Sequence, residues 1–146
     1  MKIIIKTQVE NTMENVWKGF DERLFAKLSP PFPKVEILRF DGCKKGNEVH
    51  LKLLFPFIPQ LWFAEIIDNS IAENEIYFVD KGTKLPFFLS KWQHKHRIQK
   101  AGGHTSIIVD DIDFNTGTIL TDLLFYPLLY LQFLYRVPIY KKYFKN

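Results

Sequence analysis

Residues 92–99, Trp92-Gln93-His94-Lys95-His96-Arg97-Ile98-Gln99, alternate with period two. Successive strand side chains point to opposite faces. Trp92, His94, His96 and Ile98 therefore share one face, and Gln93, Lys95, Arg97 and Gln99 the other. The lysine and arginine face should meet water, and the tryptophan and isoleucine face the interior. Two imidazoles are thus directed inward among rings, where each needs a hydrogen-bond partner to offset its desolvation. Beyond Ala101-Gly102-Gly103, the stretch Ser106-Ile107-Ile108-Val109-Asp110-Asp111-Ile112-Asp113-Phe114 reads as the second strand of a tight hairpin. Asp110 has the parity of Ile108, Ile112 and Phe114, so it also faces inward. Opposed residues of an antiparallel pair have numbers of constant sum. A turn centred on Gly102 sets His94 opposite Asp110, and one centred on Gly103 sets His96 there. Either register brings a carboxylate to an inward imidazole.

Outward from this hairpin, the chain is a series of strands framed by helices. Ile3, Ile5, Thr7 and Val9 alternate with Lys2, Lys6, Gln8 and Glu10 as a half-buried first strand, with Ile4 the exception. Asn11-Thr12-Met13-Glu14 reads as a capping box with Asn11 as the cap. Met13, Val16, Trp17, Phe20 and Leu24 follow at helical spacing, giving one or two short helices that Pro30, Pro31 and Pro33 end. Strands are expected over 35–40, 48–55, 62–68, 75–80, 91–100 and 105–114. Phe55-Pro56-Phe57-Ile58-Pro59 is an apolar loop, since two prolines remove ladder donors. From Thr116 onward the pattern is helical, bent or broken at Pro127 and again near Pro138. Unbroken over 119–144 it would run about 39 Å at 1.5 Å per residue, too long for a compact domain of this size. In this helix Leu120, Leu123, Leu124, Pro127, Leu128, Leu131 and Leu134 form the stripe expected to face the sheet. Asp122, Phe125, Leu129, Gln132, Phe133 and Arg136 would lie outside, where the rings could dock on a second subunit or a membrane surface.

A chain of 146 residues, 47% hydrophobic and 16% aromatic, is one domain over 1–146 with a substantial core or a ring-lined cavity. The net charge of +4 is mild, and basic residues are scattered until Arg136, Lys141, Lys142 and Lys145 cluster at the end, a pattern that weakly permits contact with anionic surfaces but is no nucleic-acid footprint. The single cysteine, Cys43, allows no intrachain disulfide and no cysteine-based zinc site. No signal-like apolar segment is visible, so a cytoplasmic location is expected. The apolar stretch 119–135 contains Asp122, Pro127 and Gln132 and falls short of the roughly 20 residues a membrane span requires. No phosphate-binding glycine loop or metal signature is present, and no cofactor is expected. Asp110 or His50 would have to complete any metal site with His94 and His96, and neither spacing is diagnostic.

The order of elements is strand, short helices, six strands, long helix, an α+β arrangement. With the inward Trp92-x-His94-x-His96 strand it resembles the helix-grip fold of the START/Bet v 1-like superfamily (SRPBCC), and within it the small bacterial ligand-binding and polyketide cyclase-like proteins. Val16-Trp17, Leu28-Ser29-Pro30, Asp110 with Ile112 and Phe114, and Leu134-Tyr135-Arg136 carry the likeness, which spans the chain. Two features depart from the pattern: the acidic run Asp110-Asp111-Ile112-Asp113, and Asn115-Thr116-Gly117 in place of a proline-glycine start to the last helix. The resemblance implies a seven-stranded curved antiparallel sheet wrapped around a long C-terminal helix, with a hydrophobic small molecule held between them.

The expected ligand-binding residues are Trp62, Phe63, Tyr77, Phe87, Trp92, His94, His96, Asp110, Ile112, Leu124 and Leu128, with Phe78 and Phe88 as further ring candidates. The first expectation is a carrier or sensor for a lipid, isoprenoid or polyketide-like compound. A rival is a cyclase, aromatase or hydratase using His94 or His96 with Asp110 as an acid/base pair. A third is an interaction module with a core too full to hold a ligand.

Overall fold

The computed structural model describes residues 1–145. In it β1 (Lys2–Val9) leads to α1 (Met13–Lys18) and α2 (Glu22–Leu28). Six strands follow: β2 (Lys34–Phe40), β3 (Glu48–Leu54), β4 (Gln60–Ile71), β5 (Glu75–Lys84), β6 (Lys91–Lys100) and β7 (Ser106–Asn115). The chain closes with α3 (Ile119–Leu134) and α4 (Arg136–Tyr143). All neighbours in the sheet are antiparallel, in the order β1-β7-β6-β5-β4-β3-β2. This is the α+β helix-grip architecture, a seven-stranded curled sheet around a C-terminal helix.

Parity sets the inner face. β1 alternates exposed and buried along its whole length, and Trp92, His94, His96 and Ile98 are all buried. The β6–β7 hairpin is centred on Gly103, pairing His96 with Asp110. The acidic run resolves by the same alternation. Asp110 points in, while Asp111 and Asp113 point out to Lys2 and Lys91 at 3.2 and 2.8 Å.

The inner face buries two groups of side chains. Phe20, Leu24, Leu28, Phe78, Ile98, Tyr140 and Phe144 pack beneath α1, α2 and α4. Ile3, Ile5, Trp92, Ile112, Phe114, Leu129 and Phe133 pack beneath α3. Because α3 rests on β1 and β7, the concave side of β2–β5 stays uncovered by it, and a cavity opens there.

Three local expectations are corrected. The cap of α1 is Thr12, whose hydroxyl accepts from Asn15 N at 3.2 Å. Asn11 instead accepts from Thr12 N and Asn15 Nδ2, so the first turn starts one residue later than the capping-box reading. The last helix runs unbroken through Pro127 and parts only at Tyr135. Pro138, third in α4, has no N–H for the Leu134 carbonyl, which suits a break at that point.

The third correction concerns the face of α3. Asp122, Leu129 and Phe133 are buried, whereas Leu120, Leu123, Leu124, Leu128 and Leu131 are 55–75% exposed. Both stripes recur at helical spacing, so hydropathy alone could not choose between them. Asp122 anchors the choice: its carboxylate accepts from Thr116 N at 2.6 Å and from Thr116 Oγ1 at 2.7 Å, tying the start of α3 to the end of β7. These bonds hold its pKa below the ordinary carboxylate value. Its contribution to stability is therefore complete above an unfolded pKa near 3.9 and declines as pH falls through the lower folded value. Amide exchange at the start of α3 should accelerate in Asp122→Ala at neutral pH, and in the native chain only below about pH 4. Equal exchange in the two proteins at neutral pH would remove Asp122 from this role.

Candidate functional site

Strands β5, β6 and β7 build a polar wall on the inner face. Asp80 stands opposite His94 in the β5–β6 ladder, and Asp110 opposite His96 in the β6–β7 ladder. The hydrogen bonds cross these pairings diagonally. His94 Nε2 lies 2.9 Å from Asp110 Oδ1, and His96 Nε2 lies 2.7 Å from Asp80 Oδ2. The two imidazoles stack with centroids 3.5 Å apart, and His96 stacks on Phe78 at 4.1 Å. Trp92 Nε1 donates to the other oxygen of Asp80 at 3.1 Å. Arg136, the first residue of α4, brings Nη1 to 4.0 Å from Asp110 Oδ1 and lays its guanidinium over Phe133.

The electrostatics follow from burial in competition with pairing. Burial alone would raise the pKa of Asp80 and Asp110. Hydrogen bonds from His96 and His94, with the charges around them, hold both carboxyls below the ordinary value instead. Burial lowers the His96 pKa to about 4, helped by His94 beside it and opposed by Asp80, so this imidazole is neutral at pH 7. Cys43 lies on the same cavity, and burial raises its thiol to about 12.

The wall closes one side of a cavity of about 500 Å3. The rest of its lining is mostly apolar: Phe25, Leu28, Val35, Ile37, Leu51, Leu53, Trp62, Ala64 and Ile66 from α2 and the strands, with Phe125, Leu129 and Phe133 from α3, interrupted by Ser29 and Gln132. A space of this size, mostly apolar with a few convergent polar groups, is the form small-molecule sites take. The expectation of a core too full for a ligand does not hold.

The expected site residues divide by face. Trp62, Phe87, Trp92, His94, His96 and Leu128 line the cavity, as do Phe78 and Phe88. Asp110 sits behind His94 rather than in the lining, and Ile112 is core beneath α3. Phe63 and Tyr77 are on the outer face. Phe63 stacks on His50, and Tyr77 carries Lys95 over its ring and donates to Asp68 at 3.0 Å. Leu124 is on the exposed side of α3. Sequence reasoning missed Asp80 and Arg136 as parts of the wall. Asp80 was findable, since it shares parity with Ile76 and Phe78. Arg136 was not, because its position depends on the break between α3 and α4.

Behind the wall, Tyr140 is fully buried; its hydroxyl feels Asp110 and Arg136 but has no partner at hydrogen-bond geometry among the described residues. An unpaired buried hydroxyl contributes little, and removing it lifts a desolvation cost. Tyr140→Phe is expected to leave stability unchanged or raise it by up to about 1 kcal/mol, measured by urea unfolding. A loss above about 1 kcal/mol would show that the hydroxyl is paired in solution.

No family model and no curated protein sequence matches this chain. Solved structures do. The Zhui aromatase/cyclase from a Streptomyces species superposes with a TM-score of 0.71 at 16% identity, covering 96% of this chain and 90% of that one. A START superfamily protein from Mycobacterium smegmatis gives 0.60 at 16% identity, covering 94% and 97%. Norcoclaurine synthase from Thalictrum flavum gives 0.63 at 13%, covering 88% and 82%. The chain has the START/Bet v 1-like (SRPBCC) fold. At these identities the likeness extends to the fold and not to an activity.

Proposed function

We propose that the chain binds a hydrophobic small molecule with one polar end, of the lipid, isoprenoid or polyketide-like kind, as a carrier or sensor. The observation that carries this reading is the cavity of about 500 Å3, mostly apolar, with His94, His96, Asp80 and Arg136 gathered on one wall. Rings and aliphatic chains supply the affinity, and the polar wall orients the ligand's polar end. Native mass spectrometry of gently purified protein, followed by organic extraction, tests the reading. A bound apolar compound is expected. Bare protein that also fails to take up lipids or aromatic polyketides would overturn it.

A second reading is favoured by the two imidazole–carboxylate pairs: an acid/base enzyme of the cyclase, aromatase or hydratase type. The readings separate at His96. Under the carrier reading His96→Gln weakens retention modestly, and under the enzyme reading it abolishes turnover of the extracted compound with retention intact.

The carrier reading assigns a use to the exposed leucines. Leu128 and Leu131 line the cavity and are also exposed to solvent, as are Phe87 and Phe32. Among the described residues no helix is long and apolar enough to cross a membrane. An apolar face continuous with a cavity mouth suits docking on a bilayer surface, from which an apolar ligand is loaded. Leu124→Ser with Leu131→Ser is expected to reduce co-sedimentation with phospholipid vesicles several-fold. Unchanged sedimentation together with a halved solution mass would assign the face to a homodimer. This reading places the protein in the cytoplasm, where an unpaired cysteine is ordinary.

A further inference from the structure

Asp80, His94 and His96 meet on the polar wall, each with one ligand-type atom within 4.8 Å of the other two; His94 Nδ1 and His96 Nε2 lie 3.8 and 2.7 Å from Asp80 Oδ2. We propose that they bind one divalent transition-metal ion of the zinc type, with its remaining coordination positions open to the cavity. Two imidazoles and one carboxylate with vacant positions are a recurrent ligand set for such ions. The sequence offered only Asp110 or His50 as third ligand. Folding supplies Asp80 from the neighbouring strand.

The hydrogen-bond inventory points to a missing cation. His94 Nε2–H donates to Asp110, which leaves Nδ1 a bare lone pair in the neutral ring. That lone pair faces Asp80 Oδ2, another acceptor, at 3.8 Å. Two acceptors face each other favourably only with a cation or proton between them. His96 carries the same tension. With its Nε2–H donating to Asp80, its Nδ1 is a buried acceptor without a partner, 4.0 Å from Asp110 Oδ1, itself an acceptor. A metal ion on His96 Nε2 reverses this tautomer, so that Nδ1–H points at Asp110. A single ion thus takes two ring nitrogens as ligands and leaves the other two as N–H groups directed at Asp110, His94 Nε2 at 2.9 Å and His96 Nδ1 at 4.0 Å. A carboxylate holding a metal-bound histidine by its other nitrogen is the usual support of such ligands. Trp92 fixes the third ligand by donating to Asp80 Oδ1 at 3.1 Å.

Charge agrees with this assignment. With neutral imidazoles the wall has two carboxylates against the Arg136 guanidinium, one net negative charge. A divalent ion reverses it, leaving the site one positive charge to meet an anionic oxygen of a cavity ligand. Metal binding itself does not depend on that ligand's identity.

The test uses Co2+ alone, on chelator-treated full-length protein and on a His50→Ala/His104→Ala background that removes the other two histidines. Both are expected to take up one saturable equivalent with visible d–d bands and no sulfur charge-transfer band. Asp80→Asn keeps the side-chain size and the Trp92 bond, and should weaken uptake at least about 10-fold. Absence of saturable uptake in the background, undiminished uptake in Asp80→Asn, or a sulfur band from Cys43 would overturn the proposal. If circular dichroism shows that Asp80→Asn does not fold, X-ray absorption of the Co2+-loaded background decides. Two imidazole nitrogens and no sulfur are expected, and fewer than two imidazoles would overturn the site.

Discussion

Asp110→Ala is expected to cost about 3–5 kcal/mol of folding stability, the largest effect of any single change in the polar wall. Asp110 is 1% exposed and accepts from His94 Nε2 at 2.9 Å, with Arg136 Nη1 4.0 Å away. Removing the carboxylate strands a buried imidazole N–H and leaves a guanidinium only 18% exposed without its counter-charge. The penalty for orphaning such groups exceeds the value of the pair itself. Domains of this kind are stable by about 5–15 kcal/mol, so the variant should be soluble but markedly weakened. Asp110→Asn should lose less, because its amide oxygen still accepts from His94. Denaturant unfolding, with a shifted midpoint at constant slope, is the measurement. A loss below about 1 kcal/mol for Asp110→Ala would mean that the network contributes to a site rather than to the fold.

Ala64→Trp should abolish binding of apolar ligands, lowering affinity at least about 100-fold, or about 2.8 kcal/mol. Ala64 lies on β4 facing the cavity, opposite Val49 of β3 and Gly82 of β5. The indole would occupy space that is open rather than space already packed. Overpacking a filled core destabilises by about 1–3 kcal/mol, whereas filling a cavity does not. The variant should therefore keep or raise its Tm while losing displacement of a fluorescent apolar probe such as anilinonaphthalene sulfonate. Phe63→Ala, on the opposite face of the same strand, should bind the probe normally. Probe binding undiminished in Ala64→Trp would place the ligand elsewhere.

Much of the candidate site was legible because strand side chains alternate and hairpins fix sums. Those two rules directed His94, His96 and Asp110 inward and limited the register to two choices. Phe63, Tyr77 and Leu124, expected in the cavity for their large side chains, face outward. Phe63 and Tyr77 sit at polar parity, and their rings are covered by His50 and Lys95 instead of by the core. Large rings at outer positions of a sheet are ordinary when a neighbouring side chain shields them.

The last helix shows the other limit. Its position and approximate length followed from the residues 116–144. Its rotation about its own axis did not, since one stripe carries leucines and the other carries Phe125, Leu129, Phe133 and a buried acid. Asp122 settles the rotation only once Thr116 is in place at the end of β7.

Element order, strand parity and the inward histidine pair are local properties of the chain, set by backbone geometry and the separation of apolar from charged side chains. The diagonal pairing of His96 with Asp80, the arrival of Arg136, the face of α3 and the opening of a cavity are not. Each depends on distances between segments far apart in sequence, and so on how a twisted sheet curls and where one helix comes to rest on it.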